Sequence, residues 1–348
     1  MVDEEETLRG SVEAKVNALE ARPLISEITH SGRNPAPRPL ARLAERIGDT
    51  LRDGPFAPDV AAQAAARRVG GRVGGQFELV RLAGVGSAGA VFEARHAPTG
   101  VPVAVKLLHE GLNASPELRR RFIREAEIAS AIRHPNIISF HAHGEEPDGT
   151  LYQVIEFLQG QVLEDALAQG PVYVSELVEL GGQLLRGVEA VHQAGYVHRD
   201  IKPSNIFLTQ APESPSGVAV KLIDFGIAKV ATASDQQAWT TLDGVLLGTP
   251  SFMSPEQVHG EHPISSSSDL WCAGAVLFTM LTGRPPHMEA RLSDLLRKVA
   301  SVPAPPVSDF RPDVPPALAR VIDRAIRLHP HERWSSAAEM AAALDRVR

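Results

Sequence analysis

The chain has 348 residues, 43% of them hydrophobic and 22% charged, with a net charge of -7 at pH 7. That length suits two domains or one bilobal domain with an extension, and the composition is that of a soluble globular protein. Without a basic footprint to neutralise phosphates no nucleic-acid partner is expected, and the single cysteine, Cys272, excludes an intramolecular disulfide framework and fits a reducing cytoplasm.

The first 75 residues differ from the rest. Met1 to Glu6 is acidic, where a secretory signal would open with positive charge. Leu8, Val12, Val16 and Leu19 recur at helical spacing, as do Leu40, Leu43, Ile47 and Leu51, and they predict two amphipathic helices separated by the proline-broken Asn34 to Pro39. An alanine-rich segment, Val60 to Val69, runs into Gly70-Gly71-Arg72-Val73-Gly74-Gly75. This glycine repeat reads as a flexible linker, and with no Lys-Ser or Lys-Thr after it a Walker-type phosphate loop is not supported. The apolar stripes need cover from the next domain, a second copy of the chain or a partner.

From Phe77 the pattern turns to strands. Phe77 to Leu82 leads into Gly84-Val85-Gly86-Ser87-Ala88-Gly89-Ala90-Val91, where glycines let a backbone approach phosphate oxygens. A dinucleotide site would open a helix at the third glycine, whereas here a second strand follows, so the context favours a strand-loop-strand flap. Val103 to Lys106 has period two, with small Ala104 leaving room for a flat base beside Lys106. The next helix is capped by Ser115, with Pro116 and Glu117 in its first turn. It carries Phe122, Glu125, Ala129 and Ile132 on one face. A carboxylate in an apolar stripe needs a cation, and Lys106 is the candidate for Glu125; Glu127 reads as solvated beside Arg120 and Arg124.

His134-Pro135-Asn136 ends that helix, and strands are expected at Ile137 to Phe140 and Leu151 to Ile155. His141 and His143 would share a strand face, but no third ligand is near, so a metal site there is disfavoured. Glu156 to Gly160 reads as a hinge whose backbone at Glu156 and Leu158 suits an adenine edge. In His198-Arg199-Asp200-Ile201-Lys202-Pro203-Ser204-Asn205, Asp200 suits a proton acceptor and Lys202 a phosphoryl partner, and Asn205 suits a ligand to a hard cation. Alone, this stretch also fits a plain polar loop. The strand Val220 to Ile223 precedes Asp224-Phe225-Gly226, a second carboxylate, suited to a metal ligand, at the mouth of a long loop. That loop runs through Thr240 and Thr241 to Thr249 and Glu256. Ser268-Asp269 opens an apolar run from Leu270 to Leu281 of 12 residues, short of the roughly 20 needed to span a membrane, so it reads as a buried helix. Arg333 is the expected partner of Glu256.

Taken in order, these elements resemble the eukaryotic-type protein kinases, above all the bacterial Ser/Thr kinases, over roughly Phe77 to Arg348. The resemblance implies an α+β, bilobal fold, with an N-terminal helical extension (1–75) and a kinase domain (76–348). The β-rich N-lobe would span 76–156 and the helical C-lobe 159–348. It implies an ATP-dependent Ser/Thr protein kinase that uses Mg²⁺ or Mn²⁺ and acts on protein substrates. Asp200, Lys202, Lys106 and Glu125 would be catalytic. Gly84, Val85, Gly86, Ser87, Gly89 and Val91 would cover the nucleotide. Ala104, Lys106, Ile155, Glu156, Leu158 and Phe207 would complete its pocket, and Asn205 and Asp224 would hold the metal. Arg199 would meet a phosphate on the activation loop at Thr240 or Thr241, and Thr249 marks Ser/Thr specificity. A homodimer through the N-terminal helices or N-lobe stays open, as does a pseudokinase scaffold acting through the extension. Ala88, Phe252, Ser254 and His287 depart from the usual family residues without removing a phosphate or metal ligand.

Overall fold

The computed structural model describes residues 60–86, 89–109, 115–224, 250–260 and 264–347. The two expected amphipathic helices of the extension lie outside these residues.

The small lobe is built on an antiparallel six-stranded sheet of order β1-β2-β3-β4-β6-β5. Its strands are β1 (Arg72–Val73), β2 (Phe77–Val85), β3 (Gly89–His96), β4 (Pro102–Leu108), β5 (Phe140–Glu145) and β6 (Leu151–Glu156). Alternation works as the sequence predicts: Ala90, Phe92 and Ala94 of β3 and Val103 and Val105 of β4 fill one core, while Ala104 and Lys106 face the other way. Helix α2 (Pro116–Ala131) begins where the sequence places it, with the Ser115 hydroxyl accepting from Leu118 N at 3.4 Å. Phe122, Ala126, Ile128 and Ala129 are its buried side, and Glu127 pairs with Arg124 on the outer face at 3.1 Å.

Two expectations are corrected. The glycine-rich stretch before Phe77 is not a linker: Gly70 N donates to Leu79 O at 2.8 Å and Leu79 N to Gly71 O at 2.9 Å, and β1 pairs with β2. Helix α1 (Val60–Ala66) precedes it, with Ala65 and Val73 buried in the lobe's core. Arg68 reaches Asp148 at 2.9 Å, and at Gly74 (φ 57°) a Cβ would run into the Tyr152 hydroxyl. The glycines serve tight turns and close approach rather than mobility. The strand expected at Ile137 to Phe140 is also displaced, to Phe140–Glu145. Ile137 and Ile138 are instead buried at the lobe junction, where Ile138 N donates to Leu222 O at 3.0 Å and Leu222 N to Asn136 O at 2.9 Å.

The large lobe begins with a three-stranded sheet, β7 (Gly160–Val162), β8 (Ile206–Gln210) and β9 (Val218–Leu222). Its other elements are α3 (Leu163–Leu167), α4 (Val174–Gln193), α5 (Pro255–His259), α6 (Ser266–Thr282), α7 (Leu292–Ser301), α8 (Pro316–Ala325) and α9 (Ala337–Asp345). Helix α6 is the axis of this lobe and is buried from Ser268 to Thr282, as its all-round apolar sequence requires. At Gly274 a Cβ would lie 2.6 Å from Ala325 Cβ, so α6 and α8 approach as closely as they do because that position has no side chain.

Candidate active site

Lys106 on β4 points into the cleft between the lobes. Its Nζ lies 2.5 Å from Asp224 Oδ1 and 3.7 Å from Glu125 Oε1. Burial pulls the ammonium's pKa down, but the two carboxylates outweigh it and hold the group above its ordinary value. Glu125 shows the reverse balance. Burial pushes its carboxyl up to about 7 against the opposing Lys106 charge, and the neighbouring Asp224 charge adds to the rise. The helical periodicity and the strand alternation thus bring Lys106 and Glu125 together as expected, with Asp224 arriving from the end of β9.

The loop before β8 supplies the second half. Lys202 Nζ lies 3.1 Å from Asp200 Oδ2. Asn205 Nδ2 donates to both Asp200 O and Asp200 Oδ2 at 2.9 Å. With its nitrogen turned to Asp200, the Asn205 amide keeps its oxygen for another partner. That oxygen and the half-exposed Asp224 carboxylate form the oxygen donor set a hard divalent cation prefers. Arg199 and Asp224 are the two non-glycine residues with positive φ among the described residues, at 68° and 51°. Such backbone persists only where its surroundings fix it. Around Arg199 the fixing group is Asp269 of α6, fully buried, which accepts from His198 N and Arg199 N at 2.7 Å and pairs with His192 Nε2 at 2.8 Å. Gln257 Nε2 donates to Arg199 O at 2.8 Å. Sequence reasoning took Asp269 only as a helix opener; its role depends on donors some 70 residues away.

The cleft has a volume of about 240 Å³. Val91, Ala104, Ile155, Leu158 and Phe207 line it as expected, together with Lys106, Glu125, Glu156 and Asp224. Gln153, Ile138, Phe140 and Ile223 form a back wall that the sequence reading missed. The Glu156 carboxylate is engaged away from any base, accepting from Ser139 N at 2.7 Å and Lys221 Nζ at 2.6 Å. Gly84, Val85, Gly86 and Gly89 belong to the β2–β3 hairpin and do not line the cleft itself; Ser87 lies outside the described residues. The glycines divide by cause. At Gly89 a Cβ would collide with the Leu107 carbonyl, a packing requirement. At Gly84 a Cβ would meet nothing, and at Gly86 only Gly89 O at 3.8 Å. Neither fold nor backbone demands glycine at those two, which fits close approach by a phosphate.

At the far end of the loop that follows Asp224, Arg333 holds Glu256 bidentately at 2.7 and 2.9 Å, as expected, and Ser268 Oγ adds a bond at 2.6 Å. Ser254 has a structural reason: it caps α5, its hydroxyl accepting from Gln257 N while the Gln257 side chain accepts from Ser254 N. Phe252 is packed in the large lobe's core. Thr240, Thr241 and Thr249 lie outside the described residues. His141 and His143 are exposed, and no cluster of metal-binding side chains occurs among the described residues. Nor is any described helix long and apolar enough to cross a membrane.

The profile of the protein kinase domain family matches residues 77–344. The chain belongs to that family. This kinase domain is 39% identical over 305 residues to the serine/threonine-protein kinase Pkn1 of Myxococcus xanthus, covering 88% of this chain and 42% of Pkn1. It is 35% identical over 277 residues to PknB of Mycolicibacterium smegmatis, covering 78% of this chain and 43% of PknB. The chain thus spans less than half the length of these two curated relatives. Among solved structures, the kinase domain of PknI from Mycobacterium tuberculosis superposes with a TM-score of 0.61 at 27% identity, covering 80% of this chain and 98% of that one. Kinase domains in general use ATP and a divalent metal.

Proposed function

We propose that this chain is an ATP-dependent Ser/Thr protein kinase, with Asp200, Lys202, Lys106 and Glu125 as its catalytic residues. The observation that carries the reading is the convergence of Lys106, Glu125 and Asp224 at one wall of the cleft, with Asp200, Lys202 and Asn205 gathered in the loop before β8. The names of the relatives support Ser/Thr as the acceptor class.

The division of labour follows from charge and position. Val91, Ala104, Ile155, Leu158 and Phe207 offer apolar surface to a purine, and the β2–β3 hairpin its glycine backbone to the phosphates. Lys106 neutralises phosphate charge, and Glu125 positions it. Asn205 and Asp224 would hold Mg²⁺, or Mn²⁺ in its place, which supplies charge neutralisation at the transferring phosphate. The substrate hydroxyl oxygen bonds to the γ-phosphorus as the bond to the bridging oxygen of ADP breaks. Asp200 orients that hydroxyl and takes its proton, and Lys202 steadies both the carboxylate and the transferring group.

Regulation is part of the proposal. Arg199 is half-buried, its pKa lowered by burial against the opposing Asp269 charge. A phosphate on Thr240 or Thr241 would give its guanidinium an anion to bind and order the loop. The extension before residue 60 is proposed as a regulatory or dimerising module. Incubation with Mg-ATP and a generic basic protein tests the core reading: transfer by the wild type, and none by Asp200→Asn, is expected. ATP binding without transfer to itself or to protein would leave only a scaffold role.

A further inference from the structure

Gln153 is an unexpected residue for its place. It lies on β6 in the lining of the cleft, 4% exposed, on a strand whose Leu151 and Val154 are also buried. A primary amide there is unfavourable unless it is hydrogen-bonded. Its Nε2 donates at 2.8 Å to the backbone carbonyl of Phe122, within α2.

Two registers give that bond its meaning. In the sheet, Gln153 stands directly opposite Lys106 on the neighbouring strand β4. Along α2, Phe122 precedes Glu125 by three residues, which at about 1.5 Å and 100° per residue puts the two on adjoining rungs of one face. The buried amide therefore joins the strand beside the lysine to the helix segment that carries its partner carboxylate. A second tie lies three residues earlier on the same face. Arg119 donates to Gly149 O at 2.7 Å and pairs with Glu145 Oε2 at 2.7 Å, both in the β5–β6 hairpin. The hairpin thus holds α2 at two levels, one buried and one at the surface. Lys106 and Glu125 stand 3.7 Å apart, so a retreat of the helix by about 1 Å would take them out of ion-pair contact.

We propose that Gln153 is a positioning residue for phosphoryl transfer: its amide, with Arg119 as the outer support, sets the height of α2 at which Glu125 reaches Lys106. This rests on the reading of Lys106 and Glu125 as catalytic. The amide touches neither reacting atoms nor the lysine; it acts through the helix.

A double-mutant cycle tests it. Gln153→Met keeps the volume and removes the donor, and Glu125→Gln removes the group through which Gln153 acts. In the wild-type background Gln153→Met is expected to lower kcat/KM for ATP by roughly 5- to 10-fold, the loss of about one hydrogen bond's free energy, with KM for the protein substrate unchanged. In the Glu125→Gln background the same change is expected to alter kcat/KM by less than about two-fold. Arg119→Ala, a surface change that leaves the core intact, is expected to repeat the pattern at smaller size. Equal losses in both backgrounds, or none in the wild type, would overturn the proposal while leaving the active-site reading standing. If Glu125→Gln alone has no effect, both fail together.

Discussion

Lys106 gives its charge first to Asp224, at 2.5 Å, and only second to Glu125, at 3.7 Å. Burial, with the neighbouring Asp224 charge, raises the Glu125 carboxyl from 4.5 to about 7. The Glu125 carboxyl is thus expected to titrate above the ordinary carboxylate range. Activity and stability should respond in opposite directions. The Lys106–Glu125 ion pair completes only as the carboxyl ionises, so kcat/KM for ATP is expected to rise with pH through about 7, and to lose that limb in Glu125→Gln. For stability, the folded state binds this proton more tightly than the unfolded chain. The group's contribution is thus fully present below about pH 4.5 and lost as pH rises toward 7. Denaturation midpoints of the wild type and Glu125→Gln across that window check the sign.

The glycines of the β2–β3 hairpin should separate binding from folding. Gly84→Ala and Gly86→Ala add a Cβ to open space, so thermal stability should hold within about 1 kcal/mol while KM for ATP rises several-fold. Gly89→Ala drives a Cβ against the Leu107 carbonyl and should destabilise the small lobe. Thermal melts beside ATP titrations of the three variants distinguish the two effects.

Arg333 is 2% exposed and holds Glu256 by two bonds while also donating to three carbonyls. Arg333→Met should cost about 3–5 kcal/mol, the usual loss when one partner of a buried ion pair is removed. Burial pushes the Glu256 carboxyl up, but the Arg333 bonds bring it below its ordinary value. Its contribution to stability is therefore present above about pH 4.5 and fades as pH falls through the lowered value. Calorimetry of Arg333→Met should show both the lower melting point and a flatter acid limb.

Much of this was legible in sequence. A carboxylate inside the apolar stripe of α2 announced that Glu125 needs a cation, and strand alternation aimed Lys106 at it. Arg333 and Glu256, 77 residues apart, pair as expected, although Gln257 beside the one and Glu332 beside the other leave neither marked by an apolar setting. The failures share a cause: the deciding partner is tertiary. The two-residue strand β1 has no alternation to read, so its glycines looked like a linker, and only β2 and Tyr152 show otherwise. Ile137 and Ile138 looked like a strand because they are apolar, yet they are buried for the lobe junction. Gln153 had a visible signal, a polar residue inside an apolar run, whereas Asp269 follows four serines and looks like an ordinary helix opener; for neither does anything local name the backbone groups it binds.

The paired stretch before Phe77 leads to a truncation prediction. A chain beginning at Val60 keeps Ala65 and Val73, whereas one beginning at Gln76 loses both from the core and should be less stable than it by roughly 1–3 kcal/mol. Equal melting points for the two truncations would show that α1 and β1 are dispensable to the lobe.

Asp200 is proposed as the proton acceptor in phosphoryl transfer to a protein hydroxyl. Single-turnover transfer from Mg-ATP to a generic basic protein, comparing wild type with Asp200→Asn at equal ATP occupancy, measures it directly. The expected result is transfer by the wild type and a loss of roughly 10²–10⁴-fold in the variant, with ATP binding unchanged. Transfer by Asp200→Asn at the wild-type rate, or none by wild-type protein saturated with ATP, would contradict it.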